Sequence, residues 1–326
     1  MSQISIDQTI LPHHKELCFS GALCDLSTNS NDLMNVLEGI SIWPNGGGEC
    51  RFSVRVFVDE ASAEELGDPH FRGLHHVVIA SFGEANVFVF DVLRRSISAR
   101  VSFRVASDCA FWREKLIPIA LGVLGAAMGM VPMHCACLEM DGDGLLIAGA
   151  SGAGKSTLSV ALSQEGFNYV SDDWTYISQR DFRIAAHGTT APVKLLPDAA
   201  LLFSELDSHS VHVSMNGELA YEVDIKTTFG GQVKRFCEPR RLIFLERMQR
   251  PGSEFTRLSS EKTRSYLNST VERLPEQLRE AQQKREQTIE IISSLPCWNF
   301  RYGGTPQFAA EELYNFVTRH SQEVLA

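Results

Sequence analysis

The stretch that most limits what this chain can fold into is residues 144–157, GLLIAGASGAGKST. Leu145 to Ala148 form a short apolar run, read as a buried strand. The run breaks into a glycine-rich turn, and a helix-forming segment follows from Leu158 to Gln164. Gly149, Gly154, Lys155 and Ser156 fit G-x-x-x-x-G-K-[ST], the P-loop pattern. Phosphate chemistry requires this order. Flexible backbone through Gly149, Ala150, Ser151, Gly152, Ala153 and Gly154 lets consecutive N–H groups turn inward around phosphate oxygens. The helix that opens at Lys155, Ser156 and Thr157 adds its positive dipole end. Lys155 then reaches the β- and γ-phosphates, and the Ser156 hydroxyl ligates Mg²⁺. A glycine turn that matched by accident would lack the strand before it and the helix after it. The expectation is nucleotide phosphate binding.

A chain of 326 residues suggests two domains, or one with a large elaboration. Its 44% hydrophobic content supports a substantial core, and 21% charged residues argue against global disorder. The net charge of −10 argues against a nucleic-acid surface, and no basic stripe is visible, so no nucleic-acid partner is expected. A small anion held by the loop remains compatible with that charge. The cysteines at 18, 24, 50, 109, 135, 137, 237 and 297 form no C-x-x-C pair, and Cys135-x-Cys137 lacks the second pair a zinc site needs. Reduced thiols in a cytoplasmic protein are the reading. Residues 1–10 are polar, without a signal-peptide core. Residues 116–133 are uncharged and approach the length of a membrane span. They contain Pro118, Gly122, Gly125, Gly129 and Pro132 and lead directly into the strand that feeds the loop. A buried connecting helix over 111–133 is expected, and no membrane partner.

Residues 1–110 read as a small, mostly antiparallel β domain. Residues 51–58 and 96–105 alternate, and 76–80 and 87–90 are short β-branched or aromatic runs between turn signals. Gly46, Gly47 and Gly48 mark a loop. His75 and His76 fall where alternation sends neighbours to opposite faces, so structural histidines are expected rather than a metal pair. Beyond residue 111 the pattern turns helical and then α/β. A strand over 134–138, the Asp141-Gly142-Asp143-Gly144 turn and the loop strand read as a hairpin. Gly166 caps the loop helix, and further strands are expected at 167–170, 193–196, 242–245 and 297–301, with a closing helix over 307–319. Residues 253–294 differ, with dense charge. Leu278, Ala281, the Arg285 stem, Ile289 and Ile292 fall at helical spacing, and Pro275 suits a first turn. They read as a helical excursion, either an acceptor-side cover or a charged helix over one edge of the core.

Three features line up around the loop. His134 precedes Gly149 by fifteen residues (149 − 134), and Asp172 follows Lys155 by seventeen (172 − 155). A strand end beside a P-loop is where an NTPase places a metal-ligating or base carboxylate. At such an end both Asp172 and Asp173 can reach one site. On the segment from Met133 to Glu139 (MHCACLE), on Gly149 to Ser156 and on Val170-Ser171-Asp172-Asp173, the chain resembles the HPr kinase/phosphorylase superfamily, in its divergent HPr-kinase-like branch. The resemblance is strongest over 131–200. It implies an α/β, phosphoenolpyruvate-carboxykinase-like P-loop kinase domain that phosphorylates a serine hydroxyl using ATP and Mg²⁺. It further implies Asp172 as the base that takes the acceptor proton, with His134 hydrogen-bonded nearby, and Lys155 as the residue that neutralises the transferring phosphoryl group. Asp173 and Ser156 would hold the metal. A third metal-side carboxylate of the family has its counterpart at Asp198, whose local motif differs; a surface-turn aspartate is the other reading. Lys194 is either a nucleotide or acceptor contact or a solvated lysine.

The segment the family uses for the reverse, phosphorolytic reaction is not recognisable, so the resemblance carries the kinase direction. The expected activity is transfer of the γ-phosphoryl group to a hydroxyl of a peptide or protein. A small-molecule hydroxyl kinase and a non-catalytic nucleotide sensor are the alternatives, and self-association is left open.

Overall fold

The computed structural model describes residues 11–41, 50–180, 183–214, 217–269 and 278–320. Residues 1–10, the glycine loop at 46–48 and the expected helix start at Pro275 lie outside the described residues. Contacts divide the chain into two units, Met1–Val131 with Arg273–Glu286 and Pro132–Glu272 with Gln287–Ala326.

The first unit holds β1 (His13–Phe19), β2 (Ala22–Thr28), β3 (Arg51–Asp59), β4 (Pro69–Leu74), β5 (Val77–Phe82), β6 (Val87–Asp91) and β7 (Ser96–Ser102). They form one sheet in the order β1-β2-β3-β7-β6-β5-β4. Alternation builds it: β3 buries Phe52, Val54, Val56 and Val58 and turns the residues between them outward. The helix Asn31–Ile40 starts at Ser30, whose hydroxyl accepts from the Leu33 N–H, and buries Leu33, Met34, Leu37 and Ile40 along one face. That helix is the crossover between β2 and β3, which accordingly run parallel. β3 and β7 are also parallel, whereas β1–β2, β4–β5, β5–β6 and β6–β7 are antiparallel. The antiparallel expectation therefore fails at the sheet centre, because the sequence reading did not foresee the crossover helix.

Phe82, Phe88, Phe111 and Trp112 pack edge to face in this unit, and the Trp112 indole N–H donates to the Val105 carbonyl at 2.9 Å. The expected helix over 111–133 is helical from Cys109 to Met128, widening to a π-helix over Trp112–Leu116, regular at Ile117–Leu124 and tightening over Gly125–Met128. Gly129, at φ 76°, stops it, and β8 (Met130–Met133) follows. No helix among the described residues is long and apolar enough to cross a membrane.

The second unit is built on β9 (Cys135–Met140), β10 (Asp143–Gly149) and β11 (Asn168–Ser171). Its smaller strands are β12 (Thr175–Arg180), β13 (Arg183–His187), β14 (Val193–Leu195), β15 (His212–Val213), β16 (Leu219–Val223) and β17 (Phe236–Cys237). β18 (Pro239–Arg247), β19 (Gly252–Leu258) and β20 (Cys297–Gly303) complete a six-stranded sheet in the order β11-β9-β10-β18-β20-β19. The β9–β10 hairpin turns at Asp141 (φ 52°) and Gly142 (φ 90°), as the Asp-Gly signal predicts. β10, β18 and β20 run parallel. Leu145, Leu146 and Ile147 of β10 are buried on both faces, each contributing roughly 1.5–3 kcal/mol.

The helix Lys155–Gln164 and the closing helix Pro306–His320 share one core through Leu158, Ala161 and Leu162 and through Ala309, Leu313 and Val317. Buried Arg241 donates to Asp143 and to the His320 carbonyl, both at 2.8 Å. It thereby ties the loop strand to the end of that helix.

The expected excursion over 253–294 is helical only in part. Its first residues form β19, an edge strand paired with β20, because Gly252–Leu258 alternates rather than repeating every three to four residues. Helices Ser260–Ser269 and Arg279–Ser294 follow, and Leu278, Ala281, Arg285, Ile289 and Ile292 are buried, as their spacing predicts.

Candidate functional site

Gly149 ends β10, and the chain turns through Gly152 (φ 77°) and Gly154 (φ 92°) into the helix that opens at Lys155. Gly154 cannot be replaced freely: its φ is left-handed, and a Cβ there would lie 2.8 Å from the Tyr302 hydroxyl. Lys155 is buried, and its ammonium donates to the carbonyls of Gly149 (3.0 Å) and Ala150 (3.3 Å). Burial pulls its pKa below the ordinary lysine value, and the charges of Asp173, Cys135 and Asp172 pull the other way. The lysine lies within the loop, and the helix N-terminus that opens beside it has no side-chain cap. Such an arrangement can neutralise and orient an anionic phosphate chain.

The aspartate pair follows β11, one strand beyond β9 from the loop strand. Local hydroxyls fix its turn. The Ser171 and Thr175 hydroxyls lie 2.5 Å apart, and Thr175 donates to the Cys135 carbonyl at 2.8 Å, pinning the turn to the start of β9. Asp172 points inward. It is buried, and the Tyr169 hydroxyl donates to its Oδ1 at 2.9 Å. Burial raises its pKa to about 6; Tyr169 holds it down, neighbouring Asp173 adds to the rise, and the Ser156 hydroxyl also holds it down. Asp173 points outward, its Oδ1 3.1 Å from His134 Nε2. His134 sits at the bend between β8 and β9, half exposed, and stacks on the exposed indole of Trp174.

The geometry therefore joins the residues singled out by spacing, but with different partners. His134 meets Asp173 rather than Asp172, and Asp172 faces the loop serine Ser156. The reason is the turn itself: consecutive residues at a strand end take opposite directions, one to the loop and one to solvent. Asp198 stands exposed on the short turn Pro197–Leu201, and among the described residues no ion pair or hydrogen bond joins it to the loop or the aspartates. Lys194 lies 3.6 Å from Glu222, which also pairs with His212.

Tyr169, Trp174 and the Ser171–Thr175 clasp escaped sequence reasoning. A tyrosine three residues before an aspartate at a strand end was the available signal for Tyr169.

A magnesium site fits these residues. Asp172 is a buried carboxylate with hydroxyl partners and no ion pair among the described residues, and Ser156 faces it. No preformed group of three or more His, Cys, Asp or Glu side chains suited to a metal occurs among the described residues. Mg²⁺ does not require one, since it commonly takes one or two carboxylates and completes its shell with substrate phosphates and water.

A glycine loop of this form beside a strand-end carboxylate pair, in a mixed α/β unit, is an arrangement that suits phosphate chemistry. No family model matches the chain. The HPr kinase/phosphorylase of Lactobacillus acidophilus is 28% identical over 198 residues, which is 59% of this chain and 54% of that protein. The HPr kinase/phosphorylase of Lachnoclostridium phytofermentans is 27% identical over 191 residues, 58% of this chain and 54% of that protein. Among solved structures, the Hpr(Ser) kinase/phosphatase from Coxiella burnetii covers 59% of this chain and 99% of its own, at 14% identity and a TM-score of 0.32. The chain spans about half the length of the curated relatives it matches. These similarities support an HPr-kinase-like family for the chain, the one its motifs resemble.

Proposed function

We propose that the second unit is an ATP-dependent kinase that transfers the γ-phosphoryl group to a hydroxyl, a serine of a peptide or protein, from a phosphoenolpyruvate-carboxykinase-like arrangement of the loop and aspartates. The observation that carries this reading is the split of the aspartate pair, with Asp172 turned to the loop serine and Asp173 to His134. Lys155 and the loop amides from Gly149 to Thr157 hold the triphosphate. Ser156 and Asp172 would hold Mg²⁺, which would offset phosphate charge there. Asp173 takes the base role that the sequence resemblance gave to Asp172, because Asp173 faces outward, where an acceptor arrives. His134, with Nε2 3.1 Å from Asp173 Oδ1, orients that carboxylate.

In the reaction the acceptor oxygen attacks the γ-phosphorus and its proton passes to Asp173. The bond from the γ-phosphorus to the β–γ bridging oxygen breaks, and ADP leaves with that electron pair. Such transfer asks the protein chiefly for positioning and charge stabilisation, with one carboxylate at the nucleophile. The experiment is incubation of the full chain with γ-labelled Mg·ATP and panels of serine peptides, proteins and hydroxyl metabolites. Label on a peptide or protein serine is the expected result. Label only on a metabolite would replace the acceptor class, and tight ATP binding without any transfer would make the protein a nucleotide sensor.

A further inference from the structure

The loop has a second flank. β9 and β11, with the aspartate turn, lie to one side of β10, and β18 and β20 to the other. Gly149 pairs with Leu245, and a Cβ on Gly149 would lie 2.8 Å from the Leu245 carbonyl oxygen, so β18 runs tight against the start of the loop. Two residues further, Arg247 stands opposite Tyr302 of β20. Tyr302 is fully buried, and its hydroxyl donates to the Ala153 carbonyl at 3.5 Å. It is a wedge beneath the loop. The Arg247 guanidinium stacks over this ring, 4.6 Å from its centroid.

Arg247 is exposed and forms no ion pair among the described residues; the nearby carboxylates Glu246 and Glu254 are engaged by Arg301. A surface arginine in a chain of net charge −10 has many carboxylates available to it. Here the side chain instead lies on an aromatic face at the carboxyl ends of parallel strands, where open α/β sheets receive ligands. Stacking fixes the guanidinium plane and leaves its N–H fork free for phosphate oxygens.

We propose that Arg247, held on Tyr302, is a second cationic contact for the nucleotide phosphates, on the flank of the loop opposite the Asp172–Asp173 turn. The proposal rests on the nucleotide reading of the loop. It assigns this contact to a residue that no motif in the sequence marks. Lys155 neutralises from within the loop, and Arg247 closes over the phosphate chain from the side.

The test is Mg·ATP binding to the full chain by titration calorimetry, with Arg247→Gln, Arg247→Lys and Lys155→Ala compared with the unaltered protein. Arg247→Gln should weaken binding about tenfold, the scale of one charge-assisted phosphate contact, without moving the melting temperature of the unliganded protein. Arg247→Lys keeps the charge but loses the planar stack and should recover only part of the loss. Unchanged affinity in Arg247→Gln, with binding abolished in Lys155→Ala, would overturn the proposal and leave the nucleotide reading standing. Unchanged affinity in Lys155→Ala would remove both.

Discussion

Glu139 and Asp172 are buried carboxylates at opposite ends of the same two-strand ladder, β9 against β11, and they are treated in opposite ways. Glu139 accepts from the Lys234 ammonium (2.5 Å), the Asn168 amide (2.7 Å) and the Gly142 N–H. Burial raises its pKa, but Lys234, Gly142 and Asn168 more than reverse this and hold it below the ordinary glutamate value. Asp172 accepts from the Tyr169 hydroxyl and forms no ion pair among the described residues, and burial pushes its pKa up to about 6. A buried carboxylate normally brings its own countercharge. Glu139 does, and it closes the hairpin end. Asp172 makes no such pair among the described residues, and the Lys155 ammonium acts on it only through longer-range charge.

The largest expected effect lies at the functional end. Asp173→Asn should lower phosphoryl transfer by roughly 10²–10⁴ while Mg·ATP binding and the melting temperature stay as they were, because Asp173 is exposed and acts on the acceptor. Steady-state turnover alongside calorimetry would check it. A raised Mg²⁺ requirement in that variant would return the metal role to Asp173.

At the structural end, Glu139→Gln should destabilise the protein by about 1–3 kcal/mol, since it strips a charge partner from Lys234 and weakens the hairpin turn. Denaturant unfolding measures it, with ATP binding unaffected. The two carboxylates also predict opposite pH trends. The lowered pKa of Glu139 gives stability that is present above the ordinary glutamate range and lost as pH falls through its own, lower value. The raised pKa of Asp172 does the reverse: its burial opposes folding above about pH 6, and this is relieved as pH falls from 6 towards 4. Unfolding curves of Glu139→Gln and Asp172→Asn between pH 4 and pH 8, on the order of the range these groups titrate over, would separate the two contributions.

The smallest effect belongs to Asp198. Exposed on its short turn, Asp198→Asn should change stability by less than about 0.5 kcal/mol and leave the Mg²⁺ requirement alone. A raised Mg²⁺ requirement would bring it back into the metal set.

Much of this site is legible in the sequence because its parts are local. The loop is one contiguous motif, the hairpin follows from Asp141-Gly142, and the aspartates fall at a strand end that the apolar run before them marks. Partners are harder to read. Whether His134 meets Asp172 or Asp173 depends on which way a turn throws each side chain, and that is fixed by Thr175 gripping the Cys135 carbonyl forty residues away in sequence. Tyr302 reaches the loop from a strand 149 residues downstream of Ala153, so no spacing rule marks it. In the first unit, the crossover helix Asn31–Ile40 has a buried face and a serine cap, yet it lies in a stretch the sequence reading left unassigned, and the parallel centre of the sheet went unread with it.

The most direct test of the contrast between the two carboxylates is the melting temperature of Asp172→Asn, measured at pH 7 with and without Mg·ATP. Without ligand the variant should be more stable than the unaltered protein, by up to roughly 3 kcal/mol, because a buried charge whose pKa has risen from 3.8 to about 6 is gone. Adding Mg·ATP should then give little of the rise seen in the unaltered protein. A variant that is less stable without ligand, yet retains the full ligand-induced rise, would show that Asp172 is structural like Glu139 and that the cation belongs elsewhere.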